Sequence, residues 1–254
     1  MSTLEKALDI LEIILHYKKE ISIIDLAKSA GLSTSTTHRI LSILCERGYV
    51  YQKHKGAKYS LGYKFLLYDQ ISDIEYNFVN VKQEATPFLE ELSEKTSETI
   101  VLTIFNGREP VDIVAIVPDT ILKASTGIGT KSPLHCTAVG KMFLACMPDE
   151  NINKILNSYE LIPYTENTIV DIDRLKVELD NARTEGVSYD DEEYIIGLRS
   201  AAAPITLSTG QVIACIYFFG PTARVSLQKM KQIGTLVKNC ASEISKKMTA
   251  PRKY

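Results

Sequence analysis

Apolar residues recur at helical spacing near the N-terminus: Leu4, Leu8, Leu11 and Leu15, joined by Ile14. That spacing predicts a helix over residues 3–18 with one buried stripe. A second, shorter helix is expected near 22–30, stopped at Gly31, and a third over about 34–46, ending at Gly48. The stretch YVYQKHKGAKYSLG alternates and turns at Gly56, the pattern of a small hairpin. From Tyr63 to about Ile74 the helical spacing returns. This places a linker helix at 63–80, between a first domain at 1–62 and a second at 81–250.

The second half changes rhythm. Residues 81–96 read as a helix with Pro87 early in it, and TIVLTIFNG and PVDIVAIV read as strands. HCTAVGKMFLACM is helical and stopped by Pro148, and two further helices fit near 149–158 and 172–185. SAAAPITL and VIACIYFF are strands, and Leu227, Met230, Ile233, Val237, Cys240 and Ile244 mark a last amphipathic helix. Strands bracketed by helices indicate an α/β-type domain.

The third helix raises a chemical question, because it begins with five hydroxyl residues, Ser33 to Thr37. Ser and Thr are mediocre in helix interiors, where their side chains compete for backbone groups. Stepping 100° per residue from Ile40 puts Thr37, Ile40, Leu41 and Leu44 on one face and Ser35, His38, Arg39, Ser42 and Glu46 on the other. Two short helices joined at AGLS, with Ala27 and Gly31 allowing close approach, have helix-turn-helix proportions. The second helix of that motif enters the major groove by its N-terminal end.

Ser33 then caps the helix, while short side chains at Thr34, Ser35 and Thr36 let free N–H groups approach phosphate. His38, Arg39 and Ser42 face outward, and Arg39 is long enough to reach guanine O6 and N7. Lys53, His54, Lys55 and Lys58 cluster around Gly56 with no acid between Arg47 and Lys64, which suits a wing on a phosphate backbone. The plain alternative is a capped core helix and a solvated turn. Such a turn needs no single sign of charge.

Charge supports the nucleic-acid reading. The net charge of -2 hides ten Lys and Arg against six Asp and Glu in residues 1–68. A basic first domain on an acidic remainder points to a polyanion partner for the first part alone. The apolar runs are strand-length, below the ~20 residues that span a bilayer. MSTLEKALDI lacks the apolar core of a signal peptide, so a cytoplasmic protein without membrane attachment is expected. Five scattered cysteines without a C-x-x-C pair fit neither a disulfide framework nor structural zinc, and read as free thiols.

LEKALDILEII, ISIIDLAKSAGLSTSTTHRILSILCERGYV and KYSLGYKFL resemble the N-terminal winged domain of the IclR family of bacterial transcription regulators. EATPFLEELSEKTSET, SPLHCTAVGKMFLACMP, EGVSYDDEEYIIGLRSAAAPI and FGPTARVSL resemble that family's C-terminal domain, in its order and spacing. The resemblance implies an α+β chain: a winged helix-turn-helix domain, a linker helix and a GAF-like effector-binding domain. It also implies double-stranded operator DNA and a small-molecule effector as partners, a homodimer through the winged domains, and often a tetramer through the effector domains. Repression of a catabolic operon is the family habit. Departures stand at Thr34, where Lys or Arg is common, at Thr37 for Val, and at Ser200 for Cys. Tyr217 and Phe219 replace two serines of the last strand. Thr37 fits the Val position only if its hydroxyl bonds back to a helix carbonyl.

The same resemblance carries pocket positions onto Ala138, Val139, Asp190, Leu198, Ser200 and Tyr217, with Ile121 as a weaker carry-over. N–H groups near Ala138 and Val139 can take a carboxylate at a helix start, or Thr137 simply caps that helix. Alternation in the last strand puts Ile213, Cys215, Tyr217 and Phe219 on one face. Those rings either line the pocket, making it smaller or more apolar, or fill it as core and leave the regulator effector-independent.

The acid run Asp190 to Glu193, near His135 and Cys136, has no zinc spacing and reads as a solvated loop without metal. STGIGTKS lacks the spacing of a phosphate loop. No G-x-S-x-G, H-E-x-x-H or paired nucleophile and base supports the rival reading of an enzyme built on His135, Asp190 or Cys136. No cofactor is expected.

Overall fold

The structure is a computed structural model describing residues 2–17, 20–54, 56–65 and 73–249, with side chains from Val81 onward in the last stretch. The chain divides into two compact units, residues 1–76 and 77–254. Lys18, Lys55 and residues 66–72 of the expected linker lie outside the described residues.

The first unit packs α1 (Thr3–Tyr17), α2 (Ile23–Ser29) and α3 (Thr34–Glu46) against a hairpin of β1 (Val50–Gln52) and β2 (Tyr59–Leu61). Ile21 joins the hairpin edge through paired backbone bonds with Tyr59 of 2.9 and 2.8 Å. Ser22 caps α2 by accepting the Asp25 N–H. Gly31, at φ +62°, makes the left-handed turn that aims α3 away from α2. The core of this unit is Ile10, Ile14, Leu26, Ile40, Leu41 and Leu44 with Val50 and Tyr59.

One expectation fails here. The helix α1 forms, but its buried positions are Ile10 and Ile14, while Leu4, Leu8 and Leu15 are exposed by 70%, 50% and 47%. Two apolar stripes share this helix. The isoleucines, each one residue before Leu11 or Leu15, face the core shared with α2 and α3.

The second unit is an antiparallel five-stranded sheet in the order β4-β3-β7-β6-β5, layered between helices. Its strands are β3 (Thr99–Phe105), β4 (Pro110–Ile116), β5 (Ser188–Asp191), β6 (Leu198–Thr206) and β7 (Val212–Pro221). The helices α4 (Asp73–Thr96) and α8 (Leu227–Thr249) cover one face, with Ala85, Leu89, Ile233 and Val237 meeting Ile216 and Phe218. The helices α5 (Ala138–Ala145), α6 (Asp149–Ser158) and α7 (Ile172–Glu185) cover the other, with Met142, Leu156 and Leu175 meeting Val101, Ala202 and Cys215.

Four details differ from the sequence reading. The helix α4 begins at Asp73, so Pro87 sits well inside it rather than early in it. The strand β5 went unnoticed because SYDD carries two aspartates, a residue depleted in strands. Ile213 packs with the α4 and α8 face, not with Cys215. A register shift against β6, where Ile205 pairs Ala214 and Thr206 pairs Val212, leaves it as an extra residue. The acid run is no solvated loop: Asp190 and Glu193 are buried, and Asp191 and Glu192 both bond Arg199.

The start of α5 is fixed by a close approach. A Cβ at Gly140 would lie 2.3 Å from the Pro133 carbonyl oxygen and 2.6 Å from Leu134 Cα. Gly140→Ala should therefore destabilise the fold by about 1–3 kcal/mol through overpacking against backbone. Urea unfolding measures this, and unchanged stability would mean that α5 does not press on residues 133–134.

Candidate nucleic-acid interface and ligand cavity

Ser33 caps α3 by accepting the Thr36 N–H at 3.2 Å. Thr37 is fully buried, and its hydroxyl donates to the Ser33 carbonyl at 3.0 Å, the back-bond its position requires. Thr37, Ile40, Leu41 and Leu44 are the buried residues of α3. Ser33, Thr34, Ser35, His38, Arg39 and Ser42 are exposed, and Thr36 is half-buried. The N–H groups of Thr34 and Ser35 have no acceptor among the described residues.

In the hairpin, Lys53, His54 and Lys58 are exposed, while Lys55 lies outside the described residues. Gly56 turns the chain at φ +88°, and the Gln52 side chain holds the loop by donating to the Ala57 carbonyl at 2.8 Å.

In the second unit, a cavity of about 380 Å³ opens at the start of α5. Ala138, Val139, Asp190, Leu198, Ser200, Tyr217 and Phe219 all line it. Ile121 does not: it is fully exposed on the 117–132 loop. That loop instead supplies Ala124, Ser125 and Thr126, and Tyr194 closes another side. Thr137 caps α5 by accepting the Gly140 N–H at 3.0 Å and donates its hydroxyl to the Pro133 carbonyl at 2.7 Å. The buried N–H groups of Ala138 and Val139 have no acceptor among the described residues. Capping and anion binding are thus compatible, since the hydroxyl takes one N–H and leaves two.

Asp190 reaches the cavity from β5, where its carboxylate accepts the Glu193 N–H at 2.8 Å and the Ser200 hydroxyl at 3.2 Å. Burial, reinforced by Glu193, pushes its pKa up to about 7, against the pull of its hydrogen bonds and Lys141. Lys141 and Glu193 form a buried ion pair behind it. Tyr217 donates its hydroxyl to Asp112 Oδ2 at 3.0 Å, and its ring stacks on Phe219 with centroids 5.7 Å apart. Both rings therefore line the cavity, with the Tyr217 hydroxyl turned into the wall.

Sequence reading missed Asp112. It lies buried in β4 and accepts hydroxyls from Thr103 at 2.8 Å and Thr126 at 2.9 Å as well. Burial raises its pKa despite these three donors. The available signal was a lone acid inside the apolar run PVDIVAIV.

His135 is buried away from any nucleophile pairing, its Nε2 on the Ile162 carbonyl at 3.0 Å and its pKa lowered by burial. Burial pushes the Cys136 thiol up to about 12. Among the described residues no group of three His, Cys, Asp or Glu is arranged to hold a metal ion.

Two family descriptions match this chain: the IclR helix-turn-helix domain over residues 3–54, and the bacterial transcriptional regulator IclR C-terminal domain over residues 76–246. The chain is 32% identical to the HTH-type transcriptional regulator XynR of Escherichia coli, covering 89% of this chain and 88% of that one. It is 30% identical to the Escherichia coli transcriptional repressor IclR, covering 96% and 89%. The crystal structure of the Thermotoga maritima IclR superposes with a TM-score of 0.71 at 30% identity, over 98% of this chain and 99% of that chain. Helix-turn-helix and C-terminal domains match in the same order along one chain, which belongs to the IclR family of bacterial transcriptional regulators.

Proposed function

We propose that this protein is a one-component repressor that reads duplex DNA with the outward face of α3 and adjusts its grip when a small molecule fills the second unit's cavity. The observation that carries the DNA reading is the exposed stripe Ser35, His38, Arg39 and Ser42 opposite the buried Thr37, Ile40, Leu41 and Leu44. Residues 1–62 bind DNA, 63–80 link and 81–250 sense. Relatives named as repressors support the sign of regulation. Such a protein works in the cytoplasm and is not an enzyme. Among the described residues no helix is long and apolar enough to cross a membrane.

The exposed leucines of α1 support a homodimer through the first unit. Leu4, Leu8 and Leu15, with half-buried Leu11 between them, alternate spacings of four and three, the seam of a two-helix contact. Two copies present two α3 helices to half-sites about one helical turn apart, or a multiple of it. Pairing of effector domains into a tetramer adds to this scheme. A ligand that binds one arrangement of the effector domains better than another shifts the dimer toward the matching half-site spacing.

Arg39→Ala should weaken binding to the cognate site about tenfold or more while leaving random DNA nearly unaffected, as loss of a base contact does. Lys53→Ala should weaken both alike, as loss of a phosphate contact does. Electrophoretic mobility shift at fixed salt separates the two, and equal losses for Arg39→Ala would place that side chain on phosphate.

Leu8→Glu should convert the protein to monomer in sedimentation analysis with its circular dichroism unchanged, because Leu8 is half exposed in one chain. A persisting dimer would move the interface elsewhere.

Asp190 sets a pH dependence. Its pKa is about 7 in the empty cavity, and a bound carboxylate raises it further. Carboxylate binding thus takes up a proton. Affinity is full below the free value and falls as pH rises above it, by up to about tenfold per unit until the bound value is reached. Titration calorimetry in two buffers of different ionisation enthalpy at neutral pH measures the proton, and zero uptake would place the carboxylate away from Asp190.

A further inference from the structure

A second cavity, of about 530 Å³, lies on the outer side of the first, with Lys131, Ser132 and Tyr194 in the lining of both. Part of its wall is polar. Lys131 bridges to Val111, and the Ser132 N–H donates to the Pro110 carbonyl at 3.2 Å. These bonds lay residues 131–132 beside the β3–β4 turn that carries Arg108 and Glu109. Lys131 neutralises Glu109 at 3.0 Å. The Arg108 guanidinium and the Ser132 hydroxyl have no partner among the described residues, so this wall holds one uncompensated positive charge.

The rest of the lining is largely aromatic, with Tyr159 following the end of α6 and Tyr164 and Tyr194 beyond it. Buried His135 packs against Tyr159 and Tyr164, its ring centroid 5.6 and 6.0 Å from theirs. Tyr164 meets Tyr194 at 5.0 Å with planes 76° apart, which makes a corner rather than a parallel slot. The hydroxyls of Tyr164 and Tyr194 have no hydrogen-bond partner among the described residues. That of Tyr159 accepts the Leu134 N–H at 3.1 Å and keeps its own proton to donate.

A corner of perpendicular rings gives a flat heterocycle one face to stack on and no sandwich. A saturated ring instead packs its C–H groups on one phenol and reaches the free hydroxyls with its own. Arg108, Lys131 and Ser132 together offer more donors than the two oxygens of a carboxylate need, and a guanidinium fork matches phosphate oxygens in pairs. We propose that this cavity is a second ligand site, which takes a monosaccharide phosphate. The phosphate lies on Arg108, Lys131 and Ser132, and the sugar ring lies in the corner of Tyr159, Tyr164 and Tyr194. The volume suits a ligand of that size. This site stands whether or not the first cavity holds a carboxylate.

The test is titration calorimetry of the full-length protein at mildly alkaline pH, where the phosphate is a dianion. The probes are glucose 6-phosphate, fructose 6-phosphate and ribose 5-phosphate, set against glucose, gluconate, adenosine monophosphate and inorganic phosphate. At least one sugar phosphate should bind about tenfold or more tightly than each of the other four. Arg108→Gln should weaken that ligand about tenfold with circular dichroism unchanged, since the guanidinium holds nothing in the fold. Tyr164→Leu, at an exposed ring, should weaken it several-fold. Equal binding of adenosine monophosphate or inorganic phosphate overturns the sugar, and equal binding of gluconate overturns the phosphate. Undiminished binding in either variant overturns the site as drawn. No binding of any sugar phosphate at millimolar concentration overturns the proposal and leaves the DNA reading and the first cavity untouched.

Discussion

Every α-helix starts with N–H groups that no turn of its own satisfies. This chain opens two helices with a hydroxyl residue, Ser33 before α3 and Thr137 before α5, and each hydroxyl takes one N–H. In both places the two N–H groups between cap and capped residue stay open. At α3 they are exposed, so water satisfies them and phosphate replaces water at little cost. At α5 they are buried, and a buried donor without a partner costs about 1–3 kcal/mol. The same local device therefore makes one helix start available to an anion and the other short of one.

Two buried acids divide the work around the cavity. Asp112 holds three hydroxyl donors that come from β3, from β7 and from the 117–132 loop. Its role is to tie those elements to β4, since breaking a hydrogen bond to a buried charge is costly. Asp190 accepts from Glu193 and Ser200, and its pKa of about 7 keeps both protonation states within reach. Protonated, it can donate to a ligand oxygen. Ionised, it can accept from a hydroxyl or an amine.

Several helices were legible because a cap marks where they begin: Ser22, Ser33, Thr137 and Asp171 each accept the N–H three residues on, while α6 follows Pro148 with no side-chain cap. Burial of Thr37 followed from its place beside Ile40 and Leu41. What escaped was everything that one stripe or one alternation cannot encode. Leu4, Leu8 and Leu15 satisfy the rule for a buried face as well as Ile10 and Ile14 do, and sequence holds no sign of which stripe meets its own chain. The Ile213 bulge inverts an alternation that reads cleanly on paper. Asp190 and Glu193 look solvated because charge normally is, yet the Lys141 amine and neighbouring hydroxyl and N–H groups make their burial tolerable. Six residues carried over by family likeness and Phe219 from strand alternation line the cavity, whereas Asp112 and Thr126 needed coordinates.

The loop that borders the cavity is also held from outside it. Arg224 donates to the Leu122 carbonyl at 2.8 Å and clasps buried Glu98 through Nε at 2.7 Å and Nη2 at 2.6 Å. Thr99 donates to the Ala124 carbonyl at 2.6 Å. Glu98 and Thr99 follow directly on the end of α4, where Ser97 adopts φ 57°, a left-handed conformation that costs energy in a non-glycine residue. A ligand that displaces Ala124 to Thr126 therefore works against Arg224, Thr99 and the strained end of the helix that leads back toward the first unit. Glu98 is buried while Arg224 is partly exposed, so losing the arginine would leave a buried carboxylate without its main partner, a costly change.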